Sequence, residues 1–306
     1  MKTVSVIIPY YNRPKKLDRC IRSVQNQSYK AIEIIVVDDA SSLPPNALDD
    51  TIRYFRSDKN LGPGPSRNIG MQHATGTYIS FLDCDDYWGP DFLETTHRLH
   101  LQFPDIVMAY SNGQLIDTNN QVLGIRRGKV FDSKTIIPTI FEEGRPWGTG
   151  GCLWKAEAVK LCSWQSFAAW EDYAFDTDVA LSNNTIVGSP QLLVYYDASG
   201  ADKISNLSND TVKNGKNQAA AYILKQLSKS HLNEDEYIKK SAKRLLFSHC
   251  IEVAKNGNCT PETRKNLINL AQELCHLTTA FVVRILFRLP KKQQLQGFRF
   301  LRKSIT

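Results

Sequence analysis

The sequence predicts an α/β fold: a Rossmann-like, mostly parallel sheet with flanking helices, followed by a C-terminal helical appendage. Three observations point there. Apolar, β-rich runs at TVSVIIP, IEIIVVDD and TYISFL alternate with stretches of helical spacing. Polar and charged residues gather directly after those runs. From about residue 210 the helical pattern continues with few turn breakers until GNCTPE at 257–262.

The elements follow in order. TVSVIIP is a strand stopped by Pro9. In PKKLDRCIRSVQNQ, Leu17, Ile21 and Val24 stand at i, i+4 and i+7, one face of a helix, and Pro14 suits its first turn. IEIIVVDDAS (32–41) reads as a second buried strand. Strand, helix, strand in this order implies a right-handed βαβ unit and parallel pairing. IRYFRS (52–57) is a third strand candidate, LGPGPSRNIGMQHA (61–74) a Gly/Pro loop leading into a helix, and TYISFL (77–82) another buried strand. After residue 105, IVMAYSNGQLID and QVLGIRRGKVF read as shorter, less buried strands. RPWGTGGCLWKAEAV (145–159) is Gly-rich, WEDYAFDTDVAL (170–181) opens with acids and turns helical, and IVGSPQLLVYYDASGADKISN (186–206) reads as strand and loop.

Composition excludes several classes. With 306 residues, 42% apolar and 23% charged, the chain has the make-up of an ordinary globular protein. The opening MKTVSVIIPYYN does not read as a signal peptide. No run reaches the roughly 18–20 apolar residues of a membrane span; LTTAFVVRILFRL (277–289) is short and carries Arg284 and Arg288. Seven cysteines, an odd number with no CxxC pair, favour free thiols in a reducing cytosol over a disulfide framework or zinc site. The net charge of +7 is matched by the segment 281–306, which holds seven basic residues and no acidic one. The remainder is near neutral, so general nucleic-acid binding is not indicated.

Three chemical groups sit at strand ends: Tyr10-Tyr11-Asn12 with Arg13, Asp38-Asp39, and Asp83 to Asp86. Ligands of open α/β sheets bind beyond the carboxyl ends of the strands, so these groups can converge on one crevice. Crowded carboxylates repel unless a cation neutralises them, and a divalent metal that also takes phosphate oxygens would do so. The alternative is a solvated turn in which Asp85 or Asp86 caps the next helix.

SVIIPYYNR, VVDDAS, GPSRNIG and FLDCDD occur in that order within the first 86 residues. Together they resemble glycosyltransferase family 2, inverting sugar transferases with a GT-A fold. The resemblance runs on through GTGGCLWKAEAV and WEDYAF to about residue 205 and does not cover the helical tail. It implies a catalytic domain over 1–208, with a nucleotide-binding half at about 1–104 and an acceptor-binding half at about 105–208, ahead of a helical region at 209–306.

Carried over by residue, the resemblance implies that Pro9, Tyr11 and Arg13 lie against the nucleotide base. Asp39 would accept from the uracil N3–H, with a helix N-cap as the alternative. Arg67 and Asn68 would lie near the nucleotide and diphosphate, and Asp83 and Asp85 would hold Mn²⁺ or Mg²⁺. Asp172 resembles the base that takes the acceptor proton, with Glu171 as fallback. The alternative is a pair of first-turn acids favoured by the helix dipole. Trp147, Gly150 and Trp170 fall on the acceptor or sugar side, with buried tryptophan anchors as the alternative. One departure stands out: family members often carry a His after the last core strand, and VYYDASGADKISN has none, so Asp202 or Lys203 would substitute, or the metal would take water.

The expected function is a metal-dependent inverting glycosyltransferase, with a UDP-sugar as leading donor and a glycan or lipid-linked hydroxyl as acceptor, in surface polysaccharide synthesis. Its expected place is the cytoplasm or the inner face of the membrane. Rival expectations are a nucleotidyltransferase that makes nucleotide-sugars and a non-catalytic sugar-nucleotide-binding protein. The basic, aromatic segment 281–306 can lie on an anionic membrane; the alternative is a helix packed on the protein with its Lys and Arg in water.

Overall fold

The structure, a computed structural model, describes residues 3–126, 134–199, 209–256, 261–275 and 277–304. Its strands are β1 (Val4–Tyr10), β2 (Ile32–Asp38), β3 (Ile52–Arg56), β4 (Tyr78–Phe81), β5 (Tyr87–Trp88), β6 (Met108–Ile116), β7 (Val122–Arg126), β8 (Lys134–Thr135), β9 (Cys152–Lys155) and β10 (Thr185–Asp197). Its helices are α1 (Pro14–Gln25), α2 (Pro63–His73), α3 (Phe92–Gln102), α4 (Ile136–Glu142), α5 (Ala156–Val159), α6 (Glu171–Ala180), α7 (Asn209–Ser228), α8 (Glu236–Asn256), α9 (Pro261–Leu274), α10 (Leu277–Leu286) and α11 (Lys291–Lys303). The chain divides into two compact units. The first takes its described residues from 1–136, 145–166 and 182–203, the second from 137–144, 167–181 and 204–306.

The first unit is built on one sheet, ordered β3-β2-β1-β4-β9-β6-β10-β5, with β7 beside β6 and β8 beside β10. The first four strands in that order are mutually parallel. β1 is buried at every position because both of its faces are covered. Val6 and Ile8 pack with Leu17, Ile21 and Val24 of α1 on one face. Ile7 meets α2 on the other, so closely that a Cβ at Gly70 would lie 2.3 Å from Ile7 Cγ2. Burying each such aliphatic side chain stabilises by about 1.5–3 kcal/mol. A glycine at position 70 is therefore a packing requirement between helix and sheet.

Beyond β4 the sheet turns mixed. β9 pairs antiparallel with both β4 and β6, and β10 then runs parallel to β6. The expectation of shorter, less buried strands after residue 105 is corrected here. β6 has nine residues and is buried at seven of them. Its Ser111, Asn112 and Gly113 dilute the apolar pattern, yet β9 and β10 enclose it on both sides. A Cβ at Gly113 would lie 2.5 Å from Tyr196 Cε2, so small residues are what this interior strand needs.

The second unit is helical among its described residues. α6 buries Ala174, Phe175 and Val179, and Tyr222 of α7 donates to Asp178 Oδ2 of α6 at 2.7 Å. The basic tail is not a free arm. Val283 and Phe287 are buried, Phe298 is 0% exposed, and a Cβ at Gly297 would lie 2.2 Å from Leu286 Cδ2. Its outer positions do reach solvent: Phe281 and Phe300 are 63% and 71% exposed. No helix among the described residues is long and apolar enough to cross a membrane.

Candidate active site

The carboxyl ends of the parallel strands bring the sequence motifs of the first unit together. Leu82 N–H donates to Ile7 O at 3.0 Å, after which the chain leaves the sheet and turns, Asp86 N–H donating to Asp83 O at 2.9 Å. Within that turn Cys84 points into the core and is 6% exposed. Burial, reinforced by the Asp85 charge, pushes its thiol up to about 12, so it stays protonated. Asp83 and Asp85 flank it.

Guanidinium groups offset the crowding of carboxylates. Arg67 Nη2 donates to Asp83 Oδ1 at 2.6 Å, and Arg13 Nη1 to Asp85 Oδ2 at 2.7 Å. Arg67 is 2% exposed and lies over the Trp164 ring, 4.3 Å from its centroid. From α1, Arg19 Nη2 donates to the Asp85 carbonyl at 2.6 Å and to Asp197 Oδ2 at 2.8 Å, and Lys16 Nζ stands 3.2 Å from the same oxygen. The Asp197 amide in turn donates to Asp86 Oδ1 at 2.9 Å. The end of β10 is thus tied to the acidic turn through both its backbone and its side chain. Desolvation alone would raise the Asp197 pKa, but Ser199, Arg19 and Lys16 outweigh it and hold the carboxyl down at about 2.

Neither capping alternative for this cluster describes what is present. β5 separates Asp85 and Asp86 from α3, whose N-cap is Asp91. Asp39 does not cap α2 either, since the N-cap there is Gly62. Its Oδ1 accepts from Leu61 N–H at 2.8 Å and its Oδ2 from Gly62 N–H at 2.7 Å, pinning the loop that enters α2. Each carboxylate oxygen has a second lone pair for a further donor. The adjacent Asp38 is 0% exposed and is spent on structure, taking Ser41 N–H at 2.8 Å, Tyr54 Oη at 2.6 Å and the Arg56 guanidinium.

Other sequence-derived candidates divide. Tyr11 is 45% exposed and offers an open ring face. Pro9 is buried inside β1, opposite Val37. Asn68 is used internally: its amide donates to Trp164 O at 2.9 Å and accepts from Trp164 N–H at 2.8 Å, clamping the chain that carries that ring. Trp147 is corrected to a core anchor. It is 1% exposed against Tyr110, with centroids 5.3 Å apart, so no face is open to a sugar. Gly150 lies under the acidic turn: its carbonyl accepts Trp88 Nε1 at 2.6 Å, and a Cβ there would lie 3.1 Å from Leu82 Cδ1. Asp202 and Lys203 lie outside the described residues.

In the second unit, Glu171 and Asp172 are first-turn acids of α6, and Asp172 Oδ1 accepts Tyr173 N–H at 2.9 Å. Trp170, the N-cap, has φ 65°, and its ring stacks on Tyr173 with centroids 4.9 Å apart. A left-handed backbone at a bulky residue is an outlier that tertiary contacts must hold in place.

Asp197, Lys16 and Arg19 were not singled out from the sequence. The rule that selected Asp83 would also have selected Asp197, which closes the strand VYYD. Lys16 and Arg19 stand at i, i+3 beside the buried positions of α1, where their charge looks like ordinary helix surface.

The donor set fits a small divalent cation. Mg²⁺ and Mn²⁺ are held by one or two carboxylates, with phosphate and water completing the shell, and Asp83 and Asp85 supply two hard ligands in one turn. No cluster of three or more His, Cys, Asp or Glu side chains suited to a metal occurs among the described residues.

Acids and cations are massed at the carboxyl ends of the parallel strands, where open α/β sheets bind their ligands. The sequence profile described as Glycosyl transferase family 2 matches residues 5–146. An uncharacterized glycosyltransferase of Haemophilus influenzae is 34% identical over 186 residues, covering 58% of this chain and 72% of that one. The chain therefore belongs to glycosyltransferase family 2. A relative from Campylobacter jejuni, named GalNAc(5)-diNAcBac-PP-undecaprenol beta-1,3-glucosyltransferase, is 40% identical over 94 residues, 28% of this chain and 30% of its own. The matched region spans only 30% of the Rickettsia felis relative. Among solved structures, S. aureus TarS 1-349 in complex with UDP-GlcNAc has a TM-score of 0.72 at 17% identity, covering 99% of this chain and 91% of that one. The mannosyltransferase PcManGT of Pyrobaculum calidifontis, in complex with GDP-Man and Mn²⁺, has a TM-score of 0.55 at 15% identity, covering 98% of this chain and 85% of that one. These likenesses establish the GT-A fold.

Proposed function

We propose that this chain is a metal-dependent, inverting glycosyltransferase that moves a sugar from a nucleotide-sugar, in the first place a UDP-sugar, to a hydroxyl of a glycan or lipid-linked acceptor. Surface polysaccharide synthesis is its setting. The observation that carries the reading is the pair Asp83 and Asp85 at a strand end, each held by a guanidinium, within the order of motifs that characterises the family. The UDP-GlcNAc named for TarS and the undecaprenol-linked acceptor named for the Campylobacter relative support the donor and acceptor classes.

In this reading Tyr11 stacks on the base and Asp39 accepts from its N3–H. Arg13 and Arg67 hold the acids in place and stand ready to pair with phosphate oxygens. Asp83 and Asp85 would hold a bound Mn²⁺ or Mg²⁺, whose chemistry is Lewis-acid neutralisation of the departing diphosphate. Asp172 takes the proton of the attacking hydroxyl, with Glu171 as the alternative base. Trp170 contributes to the sugar side.

Asp85→Ala should abolish manganese-dependent UDP binding, read by thermal shift, while leaving the melting of the ligand-free protein cooperative. If UDP stabilises the wild type equally well in excess EDTA, the metal assignment is wrong. If neither UDP nor any UDP-sugar stabilises it with manganese present, the donor assignment is wrong.

The exposed positions of α10 and α11 support peripheral contact with an anionic membrane. Phe281, Ile285 and Phe300 reach solvent among basic residues of a segment without acids. Such a surface joins apolar insertion to electrostatic attraction.

A further inference from the structure

The loops that follow β1 and β2 each carry a left-handed backbone at a residue other than glycine. Asn12 has φ 53° and Ala40 has φ 58°. The two strands are in register at this end, Tyr10 opposite Asp38, and Asp39 N–H donates to Tyr10 O at 2.9 Å. Asparagine adopts a positive φ more readily than most residues; alanine does not, so its neighbours must hold it. On either side of Ala40 the amides are fixed, that of Asp39 on Tyr10 O and that of Ser41 on Asp38 Oδ1 at 2.8 Å. Strained backbone that its surroundings over-determine is characteristic of ligand clamps. The residues adjoining the strain here are Tyr11 and Asp39.

Asn12 links the two loops. Its Oδ1 accepts Leu43 N–H at 2.8 Å and the Ser42 hydroxyl at 3.1 Å, and its own N–H donates to Ser41 Oγ at 3.0 Å. The backbone donor at Leu43 decides which end of the amide faces the loop. Ser41 is 2% exposed, and its hydroxyl in turn bonds the buried Asp38 carboxylate, which Tyr54 and Arg56 also hold. The β1 loop is thereby fastened to three successive residues of the β2 loop through one side chain and one amide.

Tyr11 lies between these anchors. Its N–H is hydrogen-bonded to the Cys84 thiol and the next residue is Asn12, while its ring is half open to solvent. Such a ring is directed chiefly by the backbone that carries it. Asp39 stands on the other side of the link, with both carboxylate oxygens set by the amides of Leu61 and Gly62. An aromatic face and an acceptor held at a fixed separation are preorganised for a planar ring that bears an N–H, and preorganisation raises affinity by removing the ordering cost of binding. Arg13, next in the chain, is held apart from this link, by Leu17 N–H at its carbonyl and by Asp85 at its guanidinium.

We propose that Asn12 is a positioning residue for the nucleobase: by tying the β1 loop to the β2 loop it fixes the Tyr11 ring relative to the Asp39 carboxylate, without touching the ligand itself. That the ligand is a uracil nucleotide rests on the donor proposed above; the tie between the loops does not. The diphosphate end is left to Asp83, Asp85 and their arginines, so loss of the tie should be felt at the base alone.

The test compares UDP with inorganic pyrophosphate, each titrated calorimetrically with Mn²⁺ into the full chain as wild type, Asn12→Gly and Asn12→Asp. Glycine keeps the left-handed backbone and removes Oδ1; aspartate tolerates that backbone and keeps an acceptor oxygen, but has no amide N–H. Asn12→Gly should bind UDP about threefold to tenfold more weakly, the cost of ordering one ring and its loop, with pyrophosphate affinity unchanged. Asn12→Asp should restore UDP affinity, which a direct contact through the Asn12 amide N–H would not allow. In a Tyr11→Ala background the glycine substitution should have little further effect, because no ring is left to direct. Hydrogen exchange at the Leu43 amide should quicken in Asn12→Gly with no ligand present. Quicker exchange with unchanged UDP affinity would overturn the positioning role. So would an equal loss of UDP and pyrophosphate binding, a failure of Asn12→Asp to restore, or a glycine effect that persists in full beside Tyr11→Ala. A wild type that binds UDP no more tightly than pyrophosphate would overturn the uracil donor itself, and this assignment with it.

Discussion

Asp197 in the first unit and Asp178 in the second are both aspartates partly withdrawn from water, yet withdrawal has opposite outcomes. Around Asp197 the Ser199 amide and hydroxyl, Arg19 and Lys16 supply more than the lost hydration, and the carboxyl stays ionised down to about 2. Asp178 receives the Tyr222 hydroxyl, which lowers its pKa, but desolvation dominates and raises it to about 6. The comparison teaches that burial does not set the charge of an acid; the donors arranged around it do. The strand-end region keeps its negative charge fixed and neutralised by guanidinium and ammonium groups. On α6, Asp178 has one such donor, and burial prevails.

The largest expected effect concerns the acid proposed above as the base. Asp172→Asn keeps size and hydrogen bonding but cannot take a proton at neutral pH. A positioned base contributes about 10²–10⁴-fold, so turnover should fall by that order while UDP-sugar affinity holds. Turnover and donor affinity measured side by side for Asp172→Asn and Glu171→Gln decide which acid acts. If Glu171→Gln abolishes transfer and Asp172→Asn does not, the assignment moves to Glu171. A retained anomeric configuration in the product, read by NMR, would end the single-displacement mechanism.

Next in size is the ionic tie between β10 and the acidic turn. Asp197 is 3% exposed, and Asp197→Asn leaves Lys16 and Arg19 facing a neutral amide. Removing one member of a buried charge cluster costs about 3–5 kcal/mol, and the partial exposure of the two cations places this case toward the lower end. Urea unfolding of Asp197→Asn, Arg19→Ala and the double variant measures it. Strict additivity of the two single effects would mean that the contact contributes nothing.

Most of the first unit was legible because its signals are local. The buried runs of β1, β2 and β4 and the i, i+4, i+7 face of α1 announce themselves within a dozen residues. β9 did not, since four residues in a Gly-rich stretch acquire their identity only by pairing with β4 and β6 across long sequence separations. α3 was missed because its buried face includes Thr95, Thr96 and His100, which an apolar pattern does not count. At the site, the acids were readable from their place after strands. Arg13 and Arg67 were singled out as nucleotide contacts, but their pairing with Asp85 and Asp83 was not legible, because residues 72 and 16 positions apart meet only in the fold. Trp147 shows the converse limit: a large aromatic near a motif reads equally as binding platform or core, and only packing decides.

A smaller effect sharpens the comparison through pH. Asp197 has a folded pKa of about 2, below its ordinary 3.8. Its contribution to stability is complete above about pH 4 and fades as pH falls toward 2. Asp178 has the opposite sign: with a folded pKa of about 6, its site is most stable below about pH 4 and loses stability as pH rises through 6. Chemical denaturation at a series of pH values from 3 to 8 should therefore show Asp178→Asn flattening the loss between about pH 4 and 6. Tyr222→Phe should steepen it by removing the donor that partly restrains the shift. An unchanged slope in Asp178→Asn would show that the carboxyl is not the group titrating.

The smallest expected effect concerns the outer face of the tail. Deleting 281–306 would strip Phe298 and Phe287 from the packed second unit, so a truncation would test folding and not membrane contact. Substitution at exposed positions avoids this. Phe300 is 71% exposed, Phe281 is 63% exposed, and Arg299 and Arg302 also reach solvent. Phe281→Ser/Phe300→Ser removes apolar insertion, and Arg299→Gln/Arg302→Gln removes attraction worth about 1 kcal/mol per charge near an anionic surface. Co-sedimentation with vesicles containing phosphatidylserine should fall in both pairs. The arginine pair should lose its difference from wild type at 1 M salt, where the screening length is about 3 Å, and the phenylalanine pair should keep its own. Melting temperatures within a degree or two of wild type would confirm that only the surface changed. Equal sedimentation of all three proteins at low salt would show that this face serves the second unit's solubility and makes no contact with membrane.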